Sequence, residues 1–209
     1  ERIYEGETPG VSYGDIAERY YTVGQYMKEV KDVSKAMAAA GDSYICDEYL
    51  NAMGSPEAES VYVLHDLNND GIEEFFIGLK FNYDIPYYVI YDVYTWKDGR
   101  AYQLMRGIGY RNGSCKICEN GVIEDNYSGS AWDGQTLYHI LPEGGIELET
   151  IDSVSSRRDG TVQSYYHWNE LIDENSLQTI LEQYQPESVT YVDCNRETIE
   201  QLRLSGIRK

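Results

Sequence analysis

Asp66, Asn68, Asp70 and Glu74 place side-chain oxygens at the first, third, fifth and ninth positions of the segment Asp66-Leu67-Asn68-Asn69-Asp70-Gly71-Ile72-Glu73-Glu74. A loop with this spacing turns alternate residues inward, and a Ca²⁺ ion takes roughly six to eight hard oxygens at about 2.3–2.6 Å. The backbone carbonyl of Ile72 adds a donor, and Gly71 permits the tight turn. Ca²⁺ is therefore the expected cofactor, with Asp66, Asn68, Asp70, Ile72 and Glu74 as its ligands. An EF-hand loop ends on a bidentate Glu at its twelfth position, where this chain has Ile77. The flanks Val61-Tyr62-Val63-Leu64 and Phe75-Phe76-Ile77-Gly78-Leu79 read as strands rather than helices. The expectation is a weak cation staple between two strands, with a dissociation constant of about 10⁻⁴ to 10⁻³ M. Without an ion, the same Asp and Asn side chains would bond their own backbone in Asx-turns.

A strand, an Asp/Asn-rich loop and a second strand resemble the calcium loops of FG-GAP and VCBS repeats, and more loosely the dockerin loop. The loop is also similar to one found in uncharacterised secreted or lipid-anchored proteins of Gram-positive bacteria. The resemblance is confined to the loop, and it implies an extracellular or cell-surface-anchored setting without implying an activity. FG-GAP and VCBS loops recur in tandem to build propeller blades, whereas this chain carries one copy, so no propeller is expected.

Other chemistry is sparse. His65, His139 and His167 are isolated and form no His-x-x-x-His pattern. Cys115-Lys116-Ile117-Cys118 has redox spacing but lies between the hairpin signals Asn112-Gly113 and Asn120-Gly121, with no helix to lower a thiol pKa. Cys46 and Cys194 lack a neighbouring Cys or His that would complete a zinc site. Ser128-Gly129-Ser130 lacks the strand-to-helix context of a hydrolase elbow, and no glycine-rich phosphate loop precedes a helix. With 36 acidic residues, a pair such as Glu73 and Glu124 carries no weight as a glycosidase couple. No set of nucleophile, base and orienter can be read, which favours an interaction domain over an enzyme.

Tyrosine is the compositional oddity, with 21 Tyr beside 3 Phe and 3 Trp. Tyrosine suits half-exposed strands with one wet edge, and it also serves protein- and glycan-binding faces. Tyr83, Tyr87, Tyr88, Trp96, Tyr110 and Trp132 are the expected binding platform, with Asp84, Asp92 and Asp133 as nearby hydroxyl acceptors. The competing expectation is a tyrosine-rich core beneath helices.

Seventeen basic residues against 36 acidic give a formal charge of −19, which repels nucleic acid and anionic membranes and favours cations. No apolar stretch approaches the length of a membrane span, and a start at Glu1 fits a processed export product. The elements that must position these residues read as one α+β domain over 1–209, an antiparallel meander covered by N- and C-terminal helices, expected to be a monomer. Ile16, Tyr20, Val23, Met27, Val30 and Met37 predict an amphipathic helix over 12–40, and Asp42 is the expected cap of a second helix ending at Met53. Turn signals at Asp70-Gly71, Asp98-Gly99, Asn112-Gly113, Asn120-Gly121, Asp133-Gly134, Gly144-Gly145 and Asp159-Gly160 divide a meander over 60–167. Within it, Ile85, Tyr87, Val89, Tyr91 and Val93 are expected on one face and Tyr88, Ile90, Tyr94 and Trp96 on the other. The tail over 168–209 reads as a helix capped by Asp173, a strand over 188–193 and a helix capped by Asn195.

Overall fold

The computed structural model describes residues 12–40, 45–107, 115–129, 131–140, 147–159 and 161–205, an α+β fold with two antiparallel sheets. These residues fall in two compact units. One unit lies within Glu1–Asp66, Gly71–Gly107 and Thr190–Lys209, the other within Leu67–Asp70 and Ile108–Val189.

The first unit begins with α1 (Tyr13–Val30), whose expected seam residues Ile16, Tyr20, Val23 and Met27 are all buried. Ser12 and Asp15 form a capping box at its start, each side chain accepting the other's backbone N–H. The single helix expected over 12–40 is in fact two. Lys31 enters the left-handed region at φ 51, its N–H closing on the Met27 carbonyl, and Asp32 caps the next helix through the Lys35 N–H at 3.1 Å. That helix, α2 (Val33–Ala40), is followed by α3 (Asp47–Met53), which starts later than expected with the Cys46 sulfur accepting from Tyr49 N–H. Asp42 lies outside the described residues.

Four hairpin-linked strands follow, β1 (Ala58–His65), β2 (Glu74–Phe81), β3 (Tyr87–Lys97) and β4 (Arg100–Arg106). Asp98 and Gly99, at φ 51 and 79, make the tight turn between the last two. The face expectation for β3 needs correction. Ile77 opposes Asp92 and Gly78 opposes Ile90, so Tyr91 is an extra residue in a bulge and the alternation shifts beyond it. Val89, Tyr91 and Tyr94 consequently share the core under the helices with Phe75, Ile77 and Leu79 of β2. The opposite face, with Val61, Val63, Phe76, Ile90 and Val93, is also buried. Gly78 is required at its bulge, because a Cβ there would lie 2.1 Å from the Val89 carbonyl oxygen.

The second unit is a six-stranded meander that starts with β5 (Cys115–Cys118), β6 (Val122–Ser128) and β7 (Trp132–Ile140). It continues through β8 (Leu148–Asp159), β9 (Val162–His167) and β10 (Glu170–Ile172). Asp133-Gly134 is not a turn but the interior of β7. Gly134 opposes Tyr127, whose ring occupies the place a side chain would take, since a Cβ would sit 2.2 Å from the ring. Asp173 caps α4 (Glu174–Leu181) through the Ser176 N–H, and residues 185–187 then cover the outer edge of β5. The chain closes in the first unit with β11 (Val192–Asp193), much shorter than the expected strand, beside β1, and α5 (Arg196–Leu204), capped by Asn195.

Candidate functional site

The loop between β1 and β2 is crossed by hydrogen bonds of its own. Gly71 N–H donates to Asp66 at 2.9 Å, Asp70 N–H donates to the Asn68 side-chain oxygen at 3.1 Å, and the Asn68 amide donates to Asp70 at 3.0 Å. Gly71 and Asn69 supply the left-handed turns, at φ 86 and 57. The tip residue Leu67 is buried, and Gly121 lacks a Cβ where one would stand 1.8 Å from the Leu67 carbonyl oxygen. Glu74 does not join the loop. As the first residue of β2 it is fully buried and accepts from the Thr95 hydroxyl at 2.9 Å. Asp66, Asn68, Asp70 and the Ile72 carbonyl retain the oxygen chemistry that suits Ca²⁺, whereas Glu74 would have to leave its Thr95 partner to contribute. Among the described residues no group of three or more His, Cys, Asp or Glu side chains is poised to hold a metal.

The expected aromatic platform is dispersed. Tyr110 lies outside the described residues. Trp96 packs edge-on against Tyr13 of α1 at 5.8 Å, and Tyr88 stacks on Tyr191 at 4.0 Å, so both serve packing. Tyr83 and Tyr87 stack on one another and on Phe81, with Tyr87 47% exposed and Ile85 beside them 82% exposed. Much of the tyrosine is core. Tyr20 meets Tyr49 edge-on at 4.9 Å, Tyr13 stacks on Phe75 at 5.2 Å, and all three tyrosines are buried.

Trp132 stands on a built surface. Strand pairing aligns Tyr127, Gly134, Ser155 and Tyr166 in one row across β6 to β9, with Trp132, Arg157 and Ser164 in the next row on the same face. The Arg157 guanidinium lies over the Trp132 ring at 5.3 Å, and Tyr166 flanks it at 5.9 Å. Trp132 is 43% exposed and Tyr127 41%, so rings, hydroxyls and a cation meet solvent on one face.

Alternation sends the partner residues to the other face. There Asn126, Gln135, Val154 and His167 form one row and Ser128, Asp133 and Ser156 another. Two buried carboxylates anchor this face. Glu124 accepts from Lys116 at 3.3 Å, Asn126 at 2.6 Å and Gln135 at 3.2 Å. Asp152 meets His167 Nε2 at 2.7 Å and accepts from the Tyr184 hydroxyl at 2.9 Å. Burial and the bond to Asp152 push Tyr184 up to about 12. The Asp152–His167–Tyr184 set had no sequence signal, because its members are brought together by strand pairing and by the chain beyond α4. No serine or cysteine bonds to His167 among the described residues, so the set ties the segment after α4 to the sheet rather than arming a nucleophile.

The cysteines do not form a thiolate site. All four are buried free thiols. Burial, with Glu124 beside it, pushes Cys118 up to about 12, and burial alone does the same to Cys194. Thiolate chemistry needs the opposite shift.

In the first unit, burial raises the Asp92 carboxyl to about 7 even though the Tyr20 hydroxyl, Gly107 N–H at 3.0 Å and a nearby Arg106 favour its charge. Tyr20 also pairs with the Tyr94 hydroxyl at 3.1 Å, which accepts from Gln103. A shifted carboxyl often marks an active site. Here Asp92 is fully enclosed at 0% exposure, which makes it a core network rather than a place for substrate.

Compared with known proteins, the chain matches no protein-family model, no curated protein and no solved structure.

Proposed function

We propose that this chain is a non-enzymatic interaction domain of the extracellular space or cell surface, and that it holds its ligand on the aromatic face of the second sheet. The observation that carries the reading is the Trp132–Arg157–Tyr166 arrangement, a half-exposed indole pinned between a guanidinium and a phenol. A pinned ring loses little conformational freedom on binding, which suits a contact surface. Ser155 and Ser164 in the same rows supply hydroxyls beside the rings, and a ring flanked by hydroxyls is the chemistry that takes the apolar face of a sugar. A glycan is therefore the ligand class favoured here. The charge of −19 supports an interaction role away from nucleic acid and anionic lipid. The loop at 66–74 is proposed to take Ca²⁺ weakly through Asp66, Asn68, Asp70 and Ile72, as a stabiliser rather than a participant in binding. The test is a glycan array probed with the full chain and with Trp132→Ala. Binding to a discrete glycan class that the substitution abolishes supports the reading, and the absence of any bound glycan, or undiminished binding by the variant, contradicts it.

A further inference from the structure

The opposite face of the second sheet carries a cavity of about 450 Å³. Its floor is the row pair containing Ser128, Asp133, Gln135 and Val154, and Leu177 and Leu181 of α4 form one wall. Asp133 is the charged residue among those that line it. The Gln135 amide nitrogen is engaged with Glu124 at 3.2 Å, which leaves its carbonyl oxygen as the acceptor. Ser128 donates to one Asp133 oxygen at 2.6 Å, so the hydroxyl proton is spent and the second carboxylate oxygen remains. No cation pairs with Asp133 among the described residues, and Lys116 is committed to Glu124 at 3.3 Å. The cavity therefore offers a carboxylate oxygen and an amide oxygen on one side and aliphatic carbon on the other.

We propose that this cavity binds a small organic ammonium ion, a primary amine on a short alkyl chain, with the ammonium at Asp133 and Gln135 and the alkyl portion against Val154, Leu177 and Leu181. An ammonium brings three donors and no acceptor, matching the free acceptors, and the charge-assisted bond to Asp133 supplies most of the selectivity. A neutral alcohol of equal length would keep the apolar contact and lose that bond. The lining also takes in Tyr127, Gly134 and Ser155 of the aromatic rows, but the groups proposed to hold the amine do not include Trp132, Arg157 or Tyr166, so the two proposals are tested by different residues.

The experiment is a ¹H–¹⁵N and methyl NMR titration of the full chain with n-butylamine hydrochloride, with n-butanol as the neutral control. Expected are saturable shifts confined to Gln135, Asp133 and the methyl groups of Val154, Leu177 and Leu181. Binding should weaken roughly tenfold or more in Asp133→Asn and in the alcohol, the loss typical of a charge-assisted bond. Asp133→Asn retains an oxygen for the Ser128 hydroxyl, so folding is preserved, and Ser128→Ala should leave amine binding within about twofold because its hydroxyl is not a ligand. Shifts spread over the acidic surface without saturation, equal binding of the alcohol, or full binding by Asp133→Asn would each overturn the proposal.

Discussion

Both sheets are built from antiparallel hairpins, yet they use their faces in opposite ways. In the first, Tyr62 and Phe75 under the helices are 7% and 0% exposed, and Val61 and Phe76 on the reverse face are 1% and 0% exposed. The second has a buried strip with Ile117, Ile123 and Leu137, while Tyr127 at the end of β6, Trp132 at the start of β7, Trp168 after β9 and Leu171 of β10 are exposed. A sheet buried on both faces has little freedom to spare, while one with half-exposed rings retains surface for a partner. Under the function proposed above, the second unit would be the part that meets a ligand, and the first would contribute stability.

The largest expected effect concerns the enclosed carboxyl of the first unit. Asp92 holds its proton up to about pH 7 in the folded chain, whereas an ordinary Asp releases it near 3.8. Between those values the folded state binds a proton that the unfolded state does not, so stability declines as pH rises from about 4 to about 7, by on the order of 4 kcal/mol at most. Thermal unfolding across that range should show the decline, and Asp92→Asn, which cannot ionise, should flatten it. A variant with the same slope would remove Asp92 as its source.

Two glycines sharpen the contrast between the sheets. Gly78→Ala drives a Cβ into the fixed Val89 backbone and should cost about 3 kcal/mol in urea unfolding. Gly134→Ala meets only the half-exposed Tyr127 ring, which can swing outward, so about 1 kcal/mol is expected. Equal costs would mean that the second sheet is packed as tightly as the first. The smallest effect belongs to the loop. With a dissociation constant near millimolar, millimolar Ca²⁺ should stabilise the chain by roughly 0.5 kcal/mol, read as a small rise in Tm that EDTA reverses. No shift in either direction would retire the metal.

Local signals made much of the fold legible. Asp173 and Asn195 mark real helix starts because a cap depends on one side chain and its own neighbouring backbone. Asp98-Gly99 marks a real turn for the same reason. Asp133-Gly134 has the same local signature, but Tyr127 on the neighbouring strand decides its role, and that contact is invisible before the strands pair. Tyr91 likewise reads as one more alternating residue until the bulge opposite Gly78 appears. The site was legible only in part. Trp132 was a recognisable candidate, whereas Arg157 and Tyr166, which pin it, arrive from β8 and β9 through register alone. Glu74 fits the loop spacing, but as the first residue of β2 its side chain goes to Thr95 instead.

The most direct test of the ligand face is the affinity of the full chain for the best glycan found by array screening, compared between the wild-type chain, Trp132→Ala and Tyr87→Ala. The account predicts that Trp132→Ala loses binding by tenfold or more, roughly the worth of one buried ring contact, with unfolding stability nearly unchanged, while Tyr87→Ala binds as the wild type does. Loss of binding in Tyr87→Ala with retention in Trp132→Ala would contradict it by placing the ligand on the first unit.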